Sequence, residues 1–285
     1  MSLSEEHARY LQVLGFDEAP AGLEGLRALV HRHLCRVPFE NVSKLLLFAR
    51  EGRGRPVALP EFLTNIVHHD LGGTCYSSNP FFSQLLGALG YDAVLLGADM
   101  SLQDVHTSIR VVVDAIEYHV DVGYAAPFRD PIRLDGLPCT IRQGDDRYVF
   151  ERDSRPGALR LTMTTGDGRQ HGYVVHPPPR TPEFFRPTIV ASFRPGATFM
   201  RGLRISRFFE DRAVDLRNRR LTISRGDRSE QRTLDNLAEL RHAVNTEFLM
   251  ARCPVEEAVS ILEHLTGRAF FSGEEWPDSI ANSQA

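Results

Sequence analysis

Lysine is nearly absent from this sequence. Lys44 is the only lysine among 33 basic residues in the 285-residue chain, so arginine carries almost all of the positive charge. Acidic residues outnumber basic ones, 37 to 33, and the net charge is −4. A protein that binds nucleic acid usually presents a basic stripe to the phosphate backbone. This charge balance therefore argues against a nucleic-acid partner.

Cysteine and long apolar runs are also scarce. The four cysteines are Cys35, Cys75, Cys139 and Cys253, and no two of them form a CxxC pair. Their spacing disfavours a structural zinc site or a disulfide framework. No apolar run approaches the roughly 18 residues of a membrane span, and the acidic N-terminus lacks the pattern of a signal peptide. We therefore expect a cytoplasmic protein with no membrane partner, no metal ion and no bound cofactor.

The spacing of apolar residues predicts three successive units and an α+β fold class. Up to residue 91, apolar residues recur at helical spacing. The clearest helical runs are 5–14, 23–34, 60–67 and 81–89. Between 92 and 187, short β-branched segments alternate with polar turns and predict an antiparallel sheet or barrel. From 188 to 285, strand and helix patterns are mixed, and a loose polar tail follows residue 274.

The segment 71–79, LGGTCYSSN, is the part of the sequence that most strongly suggests chemistry. Gly72 and Gly73 permit a tight turn, and a helical pattern follows Cys75 shortly afterwards. A thiol at the start of a helix faces unpaired N–H groups and the positive end of the dipole, which both favour the reactive thiolate. Cys75 is therefore a candidate nucleophile, although an isolated cysteine can also be a small buried hydrophobic residue.

Pro80 complicates the start of this helix. A helix that ran unbroken from Cys75 would need an N–H at position 80 to bond the carbonyl of Tyr76, and proline has none. We therefore expect one of two arrangements. Either the first turn is irregular, or Asn79 caps a new helix that has Pro80 at its first position.

A nucleophilic thiol needs a base, and that base needs a group that orients it. His106 opens the strand pattern HTSIRVVV, and Asp121 lies in the next one, YHVDVGY. A turn centred on Ala115 and Ile116 gives both side chains the same sheet face. It leaves them about four residues apart along the strands, or about 13 Å. We therefore expect a bulge or a kink that closes this gap.

Two other histidine patterns compete with this pair. His119 shares the predicted face of Asp121, but it lies two residues away on the same strand and is expected to be only a neighbour. His68 and His69, followed by Asp70, could suggest a metal site. Adjacent residues of a regular element cannot easily bind one ion, and no further ligand has matching spacing, so we expect no metal there.

Several strings in this sequence together resemble the arylamine N-acetyltransferase family. The family's Arg-Gly-Gly-x-Cys-x-Glu-x-Asn motif is matched by LGGTCYSSN at 71–79, and its Ile/Val-Pro-Phe-Glu-Asn string by VPFEN at 37–41. Its Val-Asp-Val/Ala-Gly-Phe string is matched by VDVGY at 120–124. LGALGY at 86–91 and TFMR at 198–201 are also similar to family text. The family order of Cys, His and Asp is kept.

The resemblance implies a helical bundle over 1–91, a β-barrel over 92–187 and an α/β lid over 188–285. It also implies that Cys75, His106 and Asp121 form a catalytic triad. In such an enzyme the thiolate takes an acyl group from a thioester, by family default acetyl-CoA, and an amine then collects it. The donor would be a CoA or carrier thioester, which adds an acyl carrier protein to the candidate partners.

Two departures from the family pattern affect the surroundings of the nucleophile. Leu71 and Ser77 replace the family's Arg and Glu, which suggests that an ion pair has been exchanged as a unit. The segment 124–128, YAAPF, replaces a glycine-rich loop that lines the family's acceptor site, so a preference for arylamines does not follow from the resemblance. We expect the acyl or substrate pocket to include four aromatic residues: Phe39, Tyr124, Phe128 and Phe199.

Other functions fit the same three residues. A cysteine hydrolase or a transglutaminase-like enzyme has the same order of Cys, His and Asp, and a hydrolase uses water in place of the amine. Relatives that form amides on polyketide chains suggest a macrolactam or amide synthase, which takes larger acyl groups. A binding protein without catalytic activity is a further reading, and the presence of all three triad residues speaks against it.

Overall fold

In the computed structural model, which describes residues 3–272 and 276, the N-terminal third consists mainly of helices. The elements are α1 (Glu5–Leu14), α2 (Gly22–Arg36), β1 (Phe39–Glu40), α3 (Val42–Glu51), α4 (Leu59–His69) and α5 (Cys75–Ala88). Four helices cover the predicted runs, whereas α3 has no counterpart among them. Local signals set the ends of α1, where the Ser4 side chain accepts from the N–H of His7 and Gly15 adopts a left-handed conformation.

Eight antiparallel strands follow and form a sheet that curls into a nearly closed barrel. They are β2 (Asp92–Asp99), β3 (His106–Val113), β4 (Ile116–Val120), β5 (Ile132–Arg133), β6 (Cys139–Gln143), β7 (Asp146–Arg152), β8 (Leu159–Thr164) and β9 (Gln170–Pro179). Their order across the sheet is β5-β4-β3-β2-β9-β8-β7-β6. Aromatic side chains such as Phe128, Tyr148 and Phe150 fill a hydrophobic core of its own. The strands of the barrel are therefore supported from inside by these side chains.

The C-terminal third contains a second sheet and further helices. They are α6 (Arg186–Ala191), β10 (Arg204–Phe208), β11 (Ala213–Arg217), β12 (Arg220–Arg225), β13 (Arg228–Thr233), α7 (Leu237–Thr246) and α8 (Val255–Thr266). The sheet order is β1-β10-β11-β12-β13, and Phe39 of β1 lies opposite Ser206 of β10 in an antiparallel pair. A strand from the N-terminal third thus completes the C-terminal sheet.

The succession of helices, barrel and mixed sheet confirms the predicted α+β fold class. The expected unit boundaries stay predictions: the one at 91 falls between α5 and β2, and the one at 187 falls within α6. The predicted tail after residue 274 lies outside the described residues, apart from Trp276. Within the described ranges, no helix is long and apolar enough to cross a membrane.

Candidate active site

Cys75 is the first residue of α5, and the helix continues through Pro80 without a break. Both predicted arrangements are therefore wrong, since the first turn is regular and no new helix begins after Asn79. Proline removes one helical hydrogen bond, but side-chain bonds hold this part of the helix in place. Asn79 donates to the carbonyl of Thr107 at 2.5 Å and accepts from the N–H of Val122 at 3.0 Å.

The position of Cys75 gives it the electrostatics expected of a nucleophile. The N–H groups of the first helical turn lack acceptors within the helix and, with the dipole, favour negative charge. The two preceding glycines are required by geometry. A Cβ on Gly72 would lie 2.1 Å from the carbonyl oxygen of Pro38, and Gly73 has a left-handed conformation with φ of 75°.

A fully buried carboxylate, Glu40, fixes this glycine turn. Its Oε1 accepts from the N–H of Gly73 at 2.6 Å, and its own N–H donates to the Gly73 carbonyl at 2.9 Å. Ser43 donates to the same carboxylate through its N–H and its hydroxyl, each at 2.8 Å. The backbone that leads into Cys75 is therefore anchored to β1.

The turn between β3 and β4 brings His106 and Asp121 into reach of each other. Its two residues, Asp114 and Ala115, both have left-handed conformations, with φ of 51° and 62°. The register of the two strands places Asp121 opposite position 108, two residues from His106. The predicted separation of four residues is wrong, because the turn lies one residue earlier than expected. Diagonal neighbours on adjacent strands are about 7–8 Å apart, so long side chains meet without a bulge.

Cys75, His106 and Asp121 meet in a buried row. His106 Nε2 lies 2.7 Å from Asp121 Oδ2, and the Cys75 charge also acts on the His106 ring. The exposed fractions of the three residues are 6%, 2% and 2%, so the row is shielded from bulk water. Electrostatic interactions are stronger in such surroundings. The structure therefore brings together the three side chains that the sequence predicts as a triad.

Four hydrogen-bond donors hold the Asp121 carboxylate. Besides His106, Oδ1 accepts from the Asn79 side chain and from the N–H of Gly123, both at 2.9 Å, and Oδ2 accepts from the Tyr173 hydroxyl at 2.8 Å. Donors to an ionised carboxyl stabilise its charge. A carboxylate fixed in this way orients the imidazole that it contacts.

The opposite charges of this pair shift both pKa values. Burial alone would raise the pKa of Asp121, but the His106 charge and the donor groups outweigh it and lower this pKa below its usual value. Burial alone would lower the pKa of His106, but the Asp121 and Cys75 charges outweigh it and raise this pKa above its usual value. The Asp121 charge therefore favours the protonated form of the His106 ring, which lies next to Cys75 in the row.

His119 lies in the same buried region in a different charge state. Its Nε2 is 3.0 Å from the Tyr173 hydroxyl, which in turn donates to Asp121. Burial lowers the pKa of His119 to about 4, so its ring is neutral and its Nε2–H donates to Tyr173. His119 thus reaches Asp121 through Tyr173.

The four aromatic residues expected in the pocket form two separate pairs. Phe39 and Phe199 make an edge-on contact with 5.7 Å between ring centres, and Tyr124 and Phe128 stack at 6.1 Å. Tyr124 also contacts the triad, with its ring centre 5.4 Å from that of His106. Phe128 is fully buried in the barrel core. A role for these four residues in substrate binding stays a prediction.

Across residues 3–272, one group of side chains has ligand atoms close enough together for a metal ion: His31, Cys35 and Glu210. His31 Nε2 lies 2.8 Å from both carboxylate oxygens of Glu210. The Arg129 guanidinium, however, donates to the Cys35 sulfur at 3.7 Å, and its positive charge competes with a metal ion. This group shares no residue with the triad.

Three polar residues support the site although none of them has a predicted catalytic role: Glu40, Asn79 and Tyr173. Glu40 and Asn79 each lie in a string that matches the family pattern, and that signal could have identified them. Tyr173 carries no such signal. It lies 52 residues from Asp121 along the chain and approaches it because β9 pairs with β2.

A family model described as N-acetyltransferase matches residues 22–252 of the chain. The arylamine N-acetyltransferase pineal gland isozyme NAT-10 of Gallus gallus is 30% identical over 148 residues, which are 49% of this chain and 46% of that protein. Proansamycin X synthase of Amycolatopsis mediterranei is 35% identical over 129 residues, 41% of this chain and 48% of that protein. The chain thus spans about half the length of the curated relatives it matches.

Solved structures of arylamine N-acetyltransferases share the fold over nearly their whole length. The M. smegmatis structure has a TM-score of 0.75 at 22% identity and covers 93% of this chain and 98% of its own. The Nocardia farcinica structure has a TM-score of 0.74 at 26% identity, over 93% and 94% of the two chains. The Mycobacterium marinum structure in complex with CoA has a TM-score of 0.74 at 23% identity, over 90% and 97%. The family model matches most of the length of this chain, and the chain therefore belongs to the arylamine N-acetyltransferase family.

Proposed function

We propose that the chain is an N-acyltransferase that moves an acyl group from a thioester to an amine through an acyl-Cys75 intermediate, in a ping-pong sequence. The observation that carries this proposal is the buried row of Cys75, His106 and Asp121, in which a carboxylate holds the imidazole and the Cys75 charge, like that of Asp121, raises the pKa of this imidazole. Such an arrangement activates a thiol as a nucleophile. Membership of the family supports the same class of reaction.

In the first half-reaction, the Cys75 thiolate attacks the carbonyl carbon of the thioester. A C–S bond forms to Cys75, and the carbonyl oxygen gains negative charge near the start of α5, where unpaired N–H groups favour an anion. The tetrahedral intermediate then collapses, and the C–S bond to the donor thiol breaks. The leaving thiolate takes the proton of His106, which leaves a neutral imidazole beside acyl-Cys75.

In the second half-reaction, an amine attacks the carbonyl carbon of acyl-Cys75. Neutral His106 takes the proton that the amine loses, and the C–S bond to Cys75 breaks. The products are an amide and the thiolate–imidazolium pair with which the cycle began. Because an amide is more stable than a thioester, this step drives the transfer forward. Since Cys75 carries the acyl group between the two half-reactions, donor and acceptor need not be bound together.

The proposed donor is an acyl-CoA, by family default acetyl-CoA, or an acyl carrier-protein thioester, and the proposed acceptor is a small-molecule amine. The Mycobacterium marinum structure contains CoA, which supports a CoA thioester as the co-substrate. A cytoplasmic location fits the four cysteines, all of which are free.

An amide synthase acting on a biosynthetic acyl chain is a second candidate. Proansamycin X synthase has the higher identity of the two curated relatives described above, at 35%. The bulky Tyr124 and Phe128 also replace the family's glycine-rich loop, so the acceptor side departs from the family pattern. In this case the acyl group is larger, and the chemistry at Cys75 is the same.

Intact mass spectrometry tests the acyl-Cys75 intermediate. The protein is incubated with acetyl-CoA, and in parallel with longer CoA thioesters, in the absence of any amine. We expect one added acyl group per chain, and none in Cys75→Ala. Cys253→Ala removes another buried thiol and is the matched control, which should acylate normally.

Discharge of the adduct separates the alternative functions. Addition of an aromatic or aliphatic amine should release the acyl group faster than water does, with an amide as the product. Release by water that is as fast as release by any amine would identify a cysteine hydrolase. A folded protein that forms no adduct with any thioester would have to be a binding protein without catalytic activity.

A further inference from the structure

A cavity of about 570 Å³ lies against the nucleophile segment, between α3, α4 and the C-terminal helices. Its walls include Gly73 and Thr74, which directly precede Cys75. They also include Leu71 and Ser77, the two residues that replace the family's charged pair. Because a leucine and a serine are smaller than the arginine and glutamate of the family motif, this exchange leaves room beside the nucleophile.

Lys44, the only lysine of the chain, lines this cavity. It is 7% exposed, donates to the Ser192 hydroxyl at 2.5 Å and lies 3.8 Å from the centre of the Phe193 ring. An ammonium has three N–H donors, so one hydroxyl acceptor satisfies it only in part. Burial lowers the pKa of Lys44 to about 7, and the opposing influence in the described part of the chain is the Cys75 charge.

Another cation that lines this cavity, Arg55, is already paired. Arg55 contacts Glu51 and Glu61, each at 2.7 Å, so this arginine has its anions within the protein. A buried ammonium without a carboxylate partner is costly, and an anion that enters the cavity would complete it. Such an anion would lie in the cavity whose wall includes Gly73 and Thr74, directly before Cys75, so the molecule that carries it would lie beside the nucleophile segment.

We propose that this cavity receives the acyl group of the donor and that Lys44 binds a carboxylate at the far end of that group, as in a malonyl thioester. The inference rests on the acyl-transfer function proposed above and names its donor class: half-thioesters of dicarboxylic acids. The distal carboxylate stays unreacted and pairs with Lys44 while the thioester carbonyl lies at Cys75. A phosphate of CoA has similar chemistry, so the experiment compares donors that differ only in the acyl group.

Malonyl-CoA and isovaleryl-CoA form a matched pair, because an uncharged isopropyl group of similar size replaces the carboxylate. We expect the wild-type protein to form the malonyl-Cys75 adduct about tenfold faster than the isovaleryl adduct, as one charge-assisted contact would give. In Lys44→Met, which is similar in length and uncharged, the preference should disappear. Lys44→Arg keeps the charge and should retain part of the preference for malonyl-CoA. Intact mass spectrometry distinguishes the two adducts.

A second measurement requires no catalysis. In Cys75→Ala no acyl group can be transferred, so titration calorimetry measures binding alone. Malonyl-CoA should bind about tenfold more tightly than isovaleryl-CoA, and the double variant Cys75→Ala/Lys44→Met should bind both equally. Because the chain has one lysine, labelling with ¹³Cε-lysine gives a single NMR signal. Malonyl-CoA should shift this signal towards the charged form, since a bound carboxylate raises the pKa of Lys44.

The possible outcomes separate this inference from the proposed function. Equal rates and affinities for the two donors in the wild-type protein would overturn the inference. An equal loss for both donors in Lys44→Met would also overturn it, because Lys44 would then act on CoA or on Cys75 itself. If malonyl-CoA binds through Lys44 but no adduct forms, the binding site stands and the transfer function fails. If both adducts form without any preference between the two donors, the transfer function stands and the inference fails.

Discussion

The two sides of the nucleophile segment differ in how completely their buried charges are paired. On the barrel side, Asp121 accepts from four donors, and His106 lies between that carboxylate and Cys75. On the side of the N-terminal helices, Lys44 donates to one hydroxyl among the described residues and lines a cavity of about 570 Å³. The side chains of Lys44, His106 and Asp121 are all buried, so the difference lies in the partners and not in the degree of burial.

This difference corresponds to two uses of a buried charge. A network in which every group is paired has one preferred geometry, which suits side chains that must align with a reacting atom. A charge with an incomplete set of partners gains most from a molecule that supplies the missing one. The paired side is therefore suited to chemistry, and the incompletely paired side is suited to selecting a substrate.

Removal of the Asp121 charge should have the largest effect on the paired side. Asp121→Asn keeps the size of the side chain but deprives His106 of the anion that raises its pKa. We expect acylation of Cys75 by acetyl-CoA, followed by intact mass, to slow by about 10³- to 10⁴-fold. Asp167→Asn, which changes an exposed barrel carboxylate, is the control. Unchanged acylation in a folded Asp121→Asn protein would remove this residue from the mechanism.

A charge inserted on the cavity side should reduce stability. Leu71→Arg places a second cation at a buried position of the cavity that Lys44 lines, so the free energy of unfolding should fall by about 3 kcal/mol. Ser77→Glu adds a carboxylate to the same cavity and should restore part of this loss in the double variant. Denaturant unfolding of both single variants and the double variant measures the coupling. If the effects simply add, the two positions do not interact.

Helix and strand positions in this chain follow from local patterns, because apolar spacing, caps and turn residues act over a few residues. The β3–β4 register does not, because it depends on left-handed conformations at Asp114 and Ala115, and alanine gives no sign of one. The order of motifs predicts which three residues meet in the buried row. It does not predict their supports: Tyr173 bonds to Asp121 across 52 residues, as only tertiary packing can arrange.

Loss of a single donor from the paired side should have a moderate effect. Tyr173→Phe keeps the ring that stacks on His106, at 4.8 Å between centres, but removes the hydroxyl that donates to Asp121. We expect kcat to fall by about tenfold with little change in KM, since a hydrogen bond to a charged group is lost. Tyr148→Phe, at another buried tyrosine of the barrel, should leave kcat unchanged. A similar loss in both variants would indicate a general weakening of the barrel.

The smallest expected effect concerns the pH dependence of thiol reactivity, which should be weak in the wild-type protein. Because Asp121 raises the pKa of His106, alkylation of Cys75 by iodoacetamide should vary by less than about threefold between pH 6 and 8. In Asp121→Asn the pKa of His106 falls, so alkylation should be slow near pH 6 and rise steeply with pH. A steep rise in the wild-type protein as well would contradict the thiolate–imidazolium pair.

The pairing of β1 with β10 has a consequence for the order of events during synthesis. The Asn41 side chain donates to the carbonyl of Gly202 at 2.7 Å and accepts from the N–H of Arg204 at 2.7 Å, a partner 163 residues further along the chain. Its neighbour Glu40 pairs with β10 and at the same time bonds to the turn before Cys75. These contacts must wait until Arg204 and Ile205 have left the ribosome. The nascent chain therefore carries an incompletely anchored thiol from the synthesis of Cys75 until β10 has emerged, and Cys75 is set in place late.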